Sequence, residues 1–207
     1  MRNTTVMKTR SLELAATLAL TLGAVPTAAS AMIETPEAQL EAAQAAHDAR
    51  DMFADTFDSD ELKPGKYRWK DGIESVDRIV VSLNEQLVYA FKDGDLVAVS
   101  TISSGRDSHP TPTGIFPIME KKRYHRSNQY NDAPMPYMQR LDTYGIAFHA
   151  GELPGYPASH GCIRLPTKFA AKLFGATEVG TPVLVGRYEV TTVMKEFYEP
   201  GGPKTKS

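Results

Sequence analysis

The feature that most constrains this fold is a series of short β-rich segments separated by turn residues. Three segments rich in Val, Ile and Tyr follow one another at 78–83, 86–91 and 96–103. Asn84-Glu85 separates the first pair, and Asp93-Gly94, a strong signal for a two-residue hairpin turn, separates the second. Because turns recur about every eight to twelve residues, the pattern predicts a main domain that is mostly β.

The second half of this domain mixes further strands with one helix. Thr111-Pro112-Thr113-Gly114 reads as a turn, and alternation in the next long apolar segment puts Ala147 and His149 on one face, with Ile146 and Phe148 on the other. The predicted elements are strands at 115–118, 145–150 and 181–185 and a helix at 168–174 that follows Pro166-Thr167.

The first 31 residues have the pattern of an export signal. Arg2, Lys8 and Arg10 precede an apolar run from Leu12 to Val25, and a small-residue stretch ends at Ala31. We interpret this as a signal peptide cleaved after Ala31, because a membrane anchor needs about 20 apolar residues and this run is shorter. The only cysteine, Cys162, lies far from the cleavage point, so we expect no lipid anchor.

Residues 32–74 are predicted to be a helical or spacer segment. Ala, Glu, Asp and Gln dominate 35–58, with Leu40, Ala43, Ala46 and Ala49 near helical spacing and Phe53 and Phe57 four residues apart. A modestly amphipathic helix and a mobile spacer both fit this composition. The predicted domain proper is 75–187, and 188–207 is predicted to be a partly disordered extension.

Charge and cysteine content restrict the partners. Cleavage after Ala31 would remove Arg2, Lys8, Arg10 and Glu13 and change the formal net charge from −2 to −4. A mildly acidic chain without a basic stripe argues against a nucleic-acid partner. An exported chain with one cysteine cannot form an internal disulfide, so Cys162 is expected to be a free or intermolecular thiol.

The segment around Cys162 concentrates groups that catalysis uses. A thiol attacks as thiolate and therefore needs a base, for which His149 and His160 are the local candidates. Gly161 lacks a side chain beside the thiol, so backbone N–H groups can approach a developing oxyanion. Zinc bound by His149, His160 and Cys162 is the weaker alternative because no second cysteine accompanies them, and we expect no metal and no cofactor.

Ser159-His160-Gly161-Cys162 followed by Ile163-Arg164-Leu165 resembles the signature of the L,D-transpeptidase, or YkuD-like, catalytic domain. Four upstream segments extend the resemblance over about 75–187: Ser103-Ser104-Gly105, Thr111 to Phe116, Met135-Pro136-Tyr137 and Gly145 to Gly151. The resemblance implies a β-sandwich or barrel-like catalytic domain with a short helix after the cysteine loop, preceded here by the N-terminal helix.

The resemblance also implies roles for individual residues. Cys162 would be the nucleophile and His149 its base, oriented by a nearby backbone carbonyl. His160, Gly161 and Ser159 would shape the loop, and Arg164 would hold it or meet a substrate carboxylate. Met135, Tyr137 and Tyr144 are candidates for lining the substrate pocket, with ordinary packing as the alternative for each.

The implied reaction is acyl transfer on tetrapeptide stems of bacterial peptidoglycan, with release of the terminal D-alanine. Transfer to a neighbouring stem would crosslink two third-position diamino acids, and transfer to water would make the enzyme a carboxypeptidase. An envelope protein as acceptor and a non-catalytic wall-binding module remain open. The expected location is the periplasm or cell envelope, because no separate wall-binding repeat is recognisable.

Overall fold

The computed structural model describes residues 33–59, 61–129 and 131–188. The predicted signal peptide lies outside these residues, as does all but the first residue of the predicted C-terminal extension. Within the described ranges, no helix is long and apolar enough to cross a membrane.

Two helices and ten strands form the described structure. The helices are α1 (Pro36–Phe57) and α2 (Thr167–Ala176). The strands are β1 (Tyr67–Trp69), β2 (Arg78–Ser82), β3 (Leu87–Lys92), β4 (Asp95–Thr101), β5 (Gly114–Pro117), β6 (Glu120–Lys122), β7 (Met138–Arg140), β8 (Ala147–Ala150), β9 (Ile163–Leu165) and β10 (Pro182–Gly186). Every predicted strand and both predicted helices are present, with ends shifted by one to two residues.

The strands form two open sheets rather than a closed barrel, and the domain is mainly β as predicted. The first sheet has the order β1-β4-β3-β2-β10-β5, in which β10 runs parallel to β2. The second has the order β6-β7-β8-β9, in which β8 and β9 are parallel and the other pairs antiparallel. The parallel pair is central to the site because it joins the two chain segments that carry catalytic candidates.

Turn chemistry explains the hairpins of the first sheet. Asp93 and Gly94 both have positive φ, 52° and 89°, as the predicted two-residue turn between β3 and β4 requires. The β2–β3 connection is longer than the predicted Asn84-Glu85 pair. It spans 83–86 and ends at Gln86, whose φ is 54°.

Alternation along the strands builds a layered molecule. In β2, Ile79 and Val81 enter the main core between the sheets, whereas Val80 faces α1 on the other side. The main core also receives Phe148 and Ile163 from the second sheet. The order of layers is therefore α1, first sheet, core with α2, and second sheet, whose outer face is left for the site.

Helix α1 packs on the first sheet through small side chains. Ala42, Ala46, Ala49 and Phe53 are buried against it. The close approach is possible because Gly186 of β10 lies beneath the helix, where a Cβ would come within 2.2 Å of the Ala42 carbonyl oxygen. The sequence-based choice of Leu40 for the apolar face was wrong: it is 59% exposed and lies midway between Ala38 and Ala42, the first two residues of the buried face.

Candidate active site

The two parallel strands bring Cys162 and His149 to one surface. Phe148 of β8 pairs with Ile163 of β9, and both side chains enter the core. Neighbours in a strand point to opposite faces, so His149 and Cys162 project outward from adjacent strands. Both line the same cleft.

This cleft covers the outer face of the second sheet and has a volume of about 760 Å³. Its floor consists of outward-pointing side chains of β6 to β9. Among them, Ala147 of β8 lies between Arg140 of β7 and Cys162. Three loops form its walls, with residues 125–129 and 131–135, 143–146, and 159–162. The groove is open to solvent, and both the thiol and the imidazole line it.

The Cys162 thiol is held as a neutral group. Its Sγ lies 3.5 Å from the Gly145 carbonyl oxygen, toward which the S–H points. Burial raises the pKa of the thiol, the Ala147 N–H lowers it in part, and the charge of Asp142 raises it further. A raised pKa leaves little thiolate near neutrality, so this cysteine needs a base.

The His149 ring is held with one ring nitrogen free to accept a proton. Its Nδ1 lies 2.9 Å from the Ala150 carbonyl oxygen. A carbonyl only accepts hydrogen bonds, so in the neutral ring Nδ1 carries the proton and Nε2 has the lone pair. Burial lowers the pKa of His149, and the charge of Arg164 lowers it as well, so the ring is neutral at pH 7. The backbone contact that the resemblance implies for this histidine is therefore present, through the Ala150 carbonyl.

Asp142 is a buried carboxylate that the sequence reasoning missed. Only 2% exposed, it accepts hydrogen bonds from the N–H groups of Tyr144, Gly145 and Ile146 at 3.0, 2.7 and 2.7 Å. These bonds fix the loop whose Gly145 carbonyl faces the thiol. An Asp immediately before a Thr-Tyr-Gly turn is the signal that could have revealed it, because Asp side chains accept from backbone N–H groups just downstream.

Ser159 and Gly161 shape the loop before the cysteine. The Ser159 hydroxyl donates to the Cys162 carbonyl and accepts from the Gly161 N–H at 3.1 Å. Gly161 has φ 113°, and a Cβ there would lie 2.6 Å from Ile146 Cδ1. The Gly161 N–H is engaged by Ser159, so Gly161 contributes its backbone conformation and the clearance beside the thiol.

The upstream Thr-Pro-x-Gly motif supports the same loop from below. Thr111 is buried, donates its hydroxyl hydrogen to the Gly161 carbonyl at 2.7 Å and accepts from the Gly105 N–H at 2.9 Å. A Cβ on Gly105 would lie 2.9 Å from Gly161 Cα, so only glycine permits this approach. Ser103 adds a two-bond backbone bridge to Arg164.

His160 and Arg164 both line the cleft. The His160 Nε2 accepts from Arg106 Nη2 at 2.7 Å, and its ring stacks edge-on with His109 at 5.0 Å. Partial burial and the charge of Arg106 lower the pKa of His160. Arg164 is paired in register with His149 on the next strand and donates weakly to the Ala158 carbonyl at 3.4 Å. These positions agree with a supporting role for His160 and leave the Arg164 guanidinium facing the cleft.

Of the three candidates for lining the substrate pocket, two line the cleft and one does not. Met135 is buried and packs in a small apolar cluster with Met138 and Cys162, and Tyr144, 73% exposed, stands on the cleft wall. Tyr137 is absent from the lining among the described residues. Its φ of 58° turns the chain, and its ring packs against Phe174 at 6.0 Å. Tyr137 therefore lies where ordinary packing, the alternative to a pocket-lining role, would place it.

Zinc ligation is the alternative chemistry for His149, His160 and Cys162. Among residues 33–59, 61–129 and 131–188, no group of three or more His, Cys, Asp or Glu side chains is arranged to hold a metal ion.

Comparison with known proteins gives a consistent result. The L,D-transpeptidase catalytic domain (YkuD) family matches residues 76–185. L,D-transpeptidase 1 of Mycobacterium tuberculosis is 29% identical over an alignment of 134 residues, with a coverage of 56% of this chain and 53% of that protein. The crystal structure of the L,D-transpeptidase from Xylanimonas cellulosilytica is 26% identical, covers 56% of this chain and 63% of its own, and superposes with a TM-score of 0.50. The chain thus spans about half the length of the curated relatives it matches.

Proposed function

Because this chain belongs to the L,D-transpeptidase catalytic domain family, we propose that it forms peptidoglycan crosslinks by acyl transfer through Cys162. The observation that carries the proposal is the pairing of β8 with β9, which sets the Cys162 thiol and the His149 imidazole on one face of a peptide-sized cleft. The match covers residues 76–185, which contain every residue of this arrangement.

In the first step, His149 takes the thiol proton as Cys162 attacks the carbonyl of the third-position residue of a tetrapeptide stem. The Nδ1–H bond to Ala150 places the proton-accepting lone pair on Nε2 and stabilises the imidazolium that forms. The tetrahedral intermediate collapses with cleavage of the bond to the terminal D-alanine. The imidazolium protonates the departing amine, and a thioester remains on Cys162.

In the second step, the side-chain amine of a neighbouring stem attacks the thioester. Neutral His149 accepts a proton of that amine, the new amide bond forms as the C–S bond breaks, and Cys162 leaves as a thiolate that the imidazolium reprotonates. Water as acceptor would give trimmed stems, and an amine of an envelope protein would give a protein-linked stem. All three outcomes use the same nucleophile and base, and the cleft favours an amine to the extent that bound peptide excludes water.

The compartment follows from the same proposal. Peptidoglycan stems lie outside the cytoplasm, and the apolar run before Ala31 has the pattern of a cleaved export signal. We therefore place the working protein in the periplasm or cell envelope. Its N-terminal sequence after expression in a bacterial host tests this: Met32 is expected as the first residue, and an uncleaved chain would contradict it.

The proposed chemistry is tested by incubating the purified protein with tetrapeptide-stem fragments and measuring D-alanine release together with product masses. Release that requires Cys162 is expected, with masses of crosslinked dimers. Cys162→Ala should abolish both, whereas Ser75→Ala, a change of similar size at an exposed position outside the cleft lining, serves as the matched control. Trimmed monomers would indicate a carboxypeptidase, and no release would favour protein attachment or a non-catalytic module.

A further inference from the structure

The outer face of the second sheet carries a regular grid of side chains. The register places Glu120 of β6 beside Arg140 of β7, and Arg140 beside Ala147 of β8. The pairing of Phe148 with Ile163 then places Cys162 next to Ala147. Strands lie about 4.8 Å apart, so the Arg140 and Cys162 backbones are about 10 Å apart across a floor that is only the Ala147 methyl group.

The far end of this row holds two cations and one carboxylate. Glu120 Oε1 lies 2.7 Å from Lys122 Nζ, and Glu120 Oε2 lies 3.2 Å from Arg140 Nε. One carboxylate cannot neutralise both cations, so the cluster keeps one positive charge in excess. All three side chains are partly exposed in the cleft and are therefore accessible to a ligand.

Arg140 has unused hydrogen-bonding capacity. Its Nε is buried and makes no hydrogen bond with any described residue, because the Glu120 oxygen is close but poorly aligned. Gln139, the preceding residue, points the opposite way into the core, where its Oε1 accepts from the Thr177 hydroxyl. The strand therefore holds Arg140 toward the cleft, where its planar fork can bind a carboxylate.

We propose that Lys122 and Arg140 form a carboxylate-binding subsite that selects the diamino acid of the acyl donor. This inference rests on the proposed function. The far carboxylate of a diaminopimelate side chain is six bonds from the carbonyl that Cys162 attacks and reaches about 7.5 Å in an extended chain. The Arg140 side chain covers the rest of the row of about 10 Å. Glu120 lies beside the cations, where it meets the ammonium group carried by the same carbon atom.

A second carboxylate of the stem, on D-isoglutamate at position two, has the same chemistry, so the test separates the two sources. The full chain with Cys162→Ala, which cannot turn over, is titrated calorimetrically with three tetrapeptides. The first contains diaminopimelate, the second contains lysine in its place and so lacks only the side-chain carboxylate, and the third contains diaminopimelate with the position-two carboxylate amidated.

We expect the lysine peptide to bind about 10- to 100-fold more weakly than the first peptide, and the third to bind like the first. Adding Arg140→Gln should reduce affinity for the diaminopimelate peptide to that for the lysine peptide, whose own affinity stays unchanged. Lys122→Gln should act in the same direction. Arg68→Gln, on an exposed edge strand of the other sheet, should change neither affinity.

Equal binding of the first two peptides, or an equal loss for both with Arg140→Gln, would overturn the subsite while leaving acyl transfer intact. Weakening by amidation at position two alone would overturn the diamino acid assignment. Failure of all three peptides to bind would contradict the proposed function itself, and the subsite with it.

Discussion

The Ala150 carbonyl oxygen lies 2.9 Å from His149 Nδ1, so the neutral imidazole presents its lone pair at Nε2. Because burial lowers the pKa of this ring and raises that of Cys162, both groups are neutral at pH 7. In the proposed mechanism, His149 therefore takes the proton during attack, without a preformed thiolate–imidazolium pair.

This arrangement predicts two separate pH limbs. Acyl transfer requires neutral His149, so D-alanine release should fall only as pH drops through a pKa below the ordinary 6.5. Alkylation by iodoacetamide requires the thiolate and should rise only above the ordinary thiol value of 9.0. Both profiles are measured on the purified protein. Rapid alkylation that persists down to pH 6 would reveal a preformed ion pair and contradict this prediction.

Replacing Asp142 should change the thiol as well as the fold. Its negative charge raises the pKa of Cys162, so Asp142→Asn should move the alkylation limb to lower pH. The variant should also lose about 1–3 kcal/mol of unfolding free energy, because three backbone N–H groups lose a charged acceptor. Asp132→Asn, an exposed carboxylate paired with Arg126, is the control and should leave the limb in place.

Gly161 combines a steric and a conformational requirement. Gly161→Ala should abolish most activity, because the new methyl group meets Ile146 Cδ1 and φ of 113° is strained for alanine. Adding Ile146→Val removes the clashing atom but not the strain, so we expect partial recovery. Gly175→Ala, in α2 with open space around it, should preserve activity and stabilise by up to about 1 kcal/mol. Full recovery in the double variant would show that backbone strain is unimportant.

Thr111 should act through the cysteine loop. Thr111→Val keeps the side-chain shape but removes both hydrogen bonds of the hydroxyl group. The buried Gly161 carbonyl and the Gly105 N–H then lose their hydrogen-bond partner. We expect a loss of about 1–3 kcal/mol in urea unfolding and a lower kcat. The same change at half-buried Thr113 is the control. Unchanged stability and rate at position 111 would show that the loop is held by other contacts.

Helix α1 should contribute to the stability of the whole described fold. Phe53→Ala removes a fully buried ring between α1 and the first sheet and should cost about 3–5 kcal/mol in urea unfolding. Leu40→Ala on the exposed side of the same helix should cost less than about 0.5 kcal/mol. Equal small effects would mean that α1 is only loosely attached.

Local sequence determined the elements whose signals are local. Strand 78–82 and the Asp93-Gly94 turn follow from side-chain type and backbone freedom alone. The short strands β1, β6, β7 and β9 were missed, since three residues show too little periodicity and exist only because a neighbouring strand pairs with them. Leu40 was misassigned because one helical turn of apolar residues fits more than one face.

In the candidate site too, some residues could be predicted from the sequence and others could not. Cys162 and two candidate bases, His149 and His160, could be named from residue type and proximity, and the resemblance selected His149 and implied a backbone carbonyl as its partner. Asp142, the contact of Thr111 with Gly161, the packing of Tyr137 and the row from Glu120 to Cys162 depended on which strands pair and in what register. Side-chain chemistry is a property of the residue, whereas distance, burial and charge environment arise only when remote segments fold together.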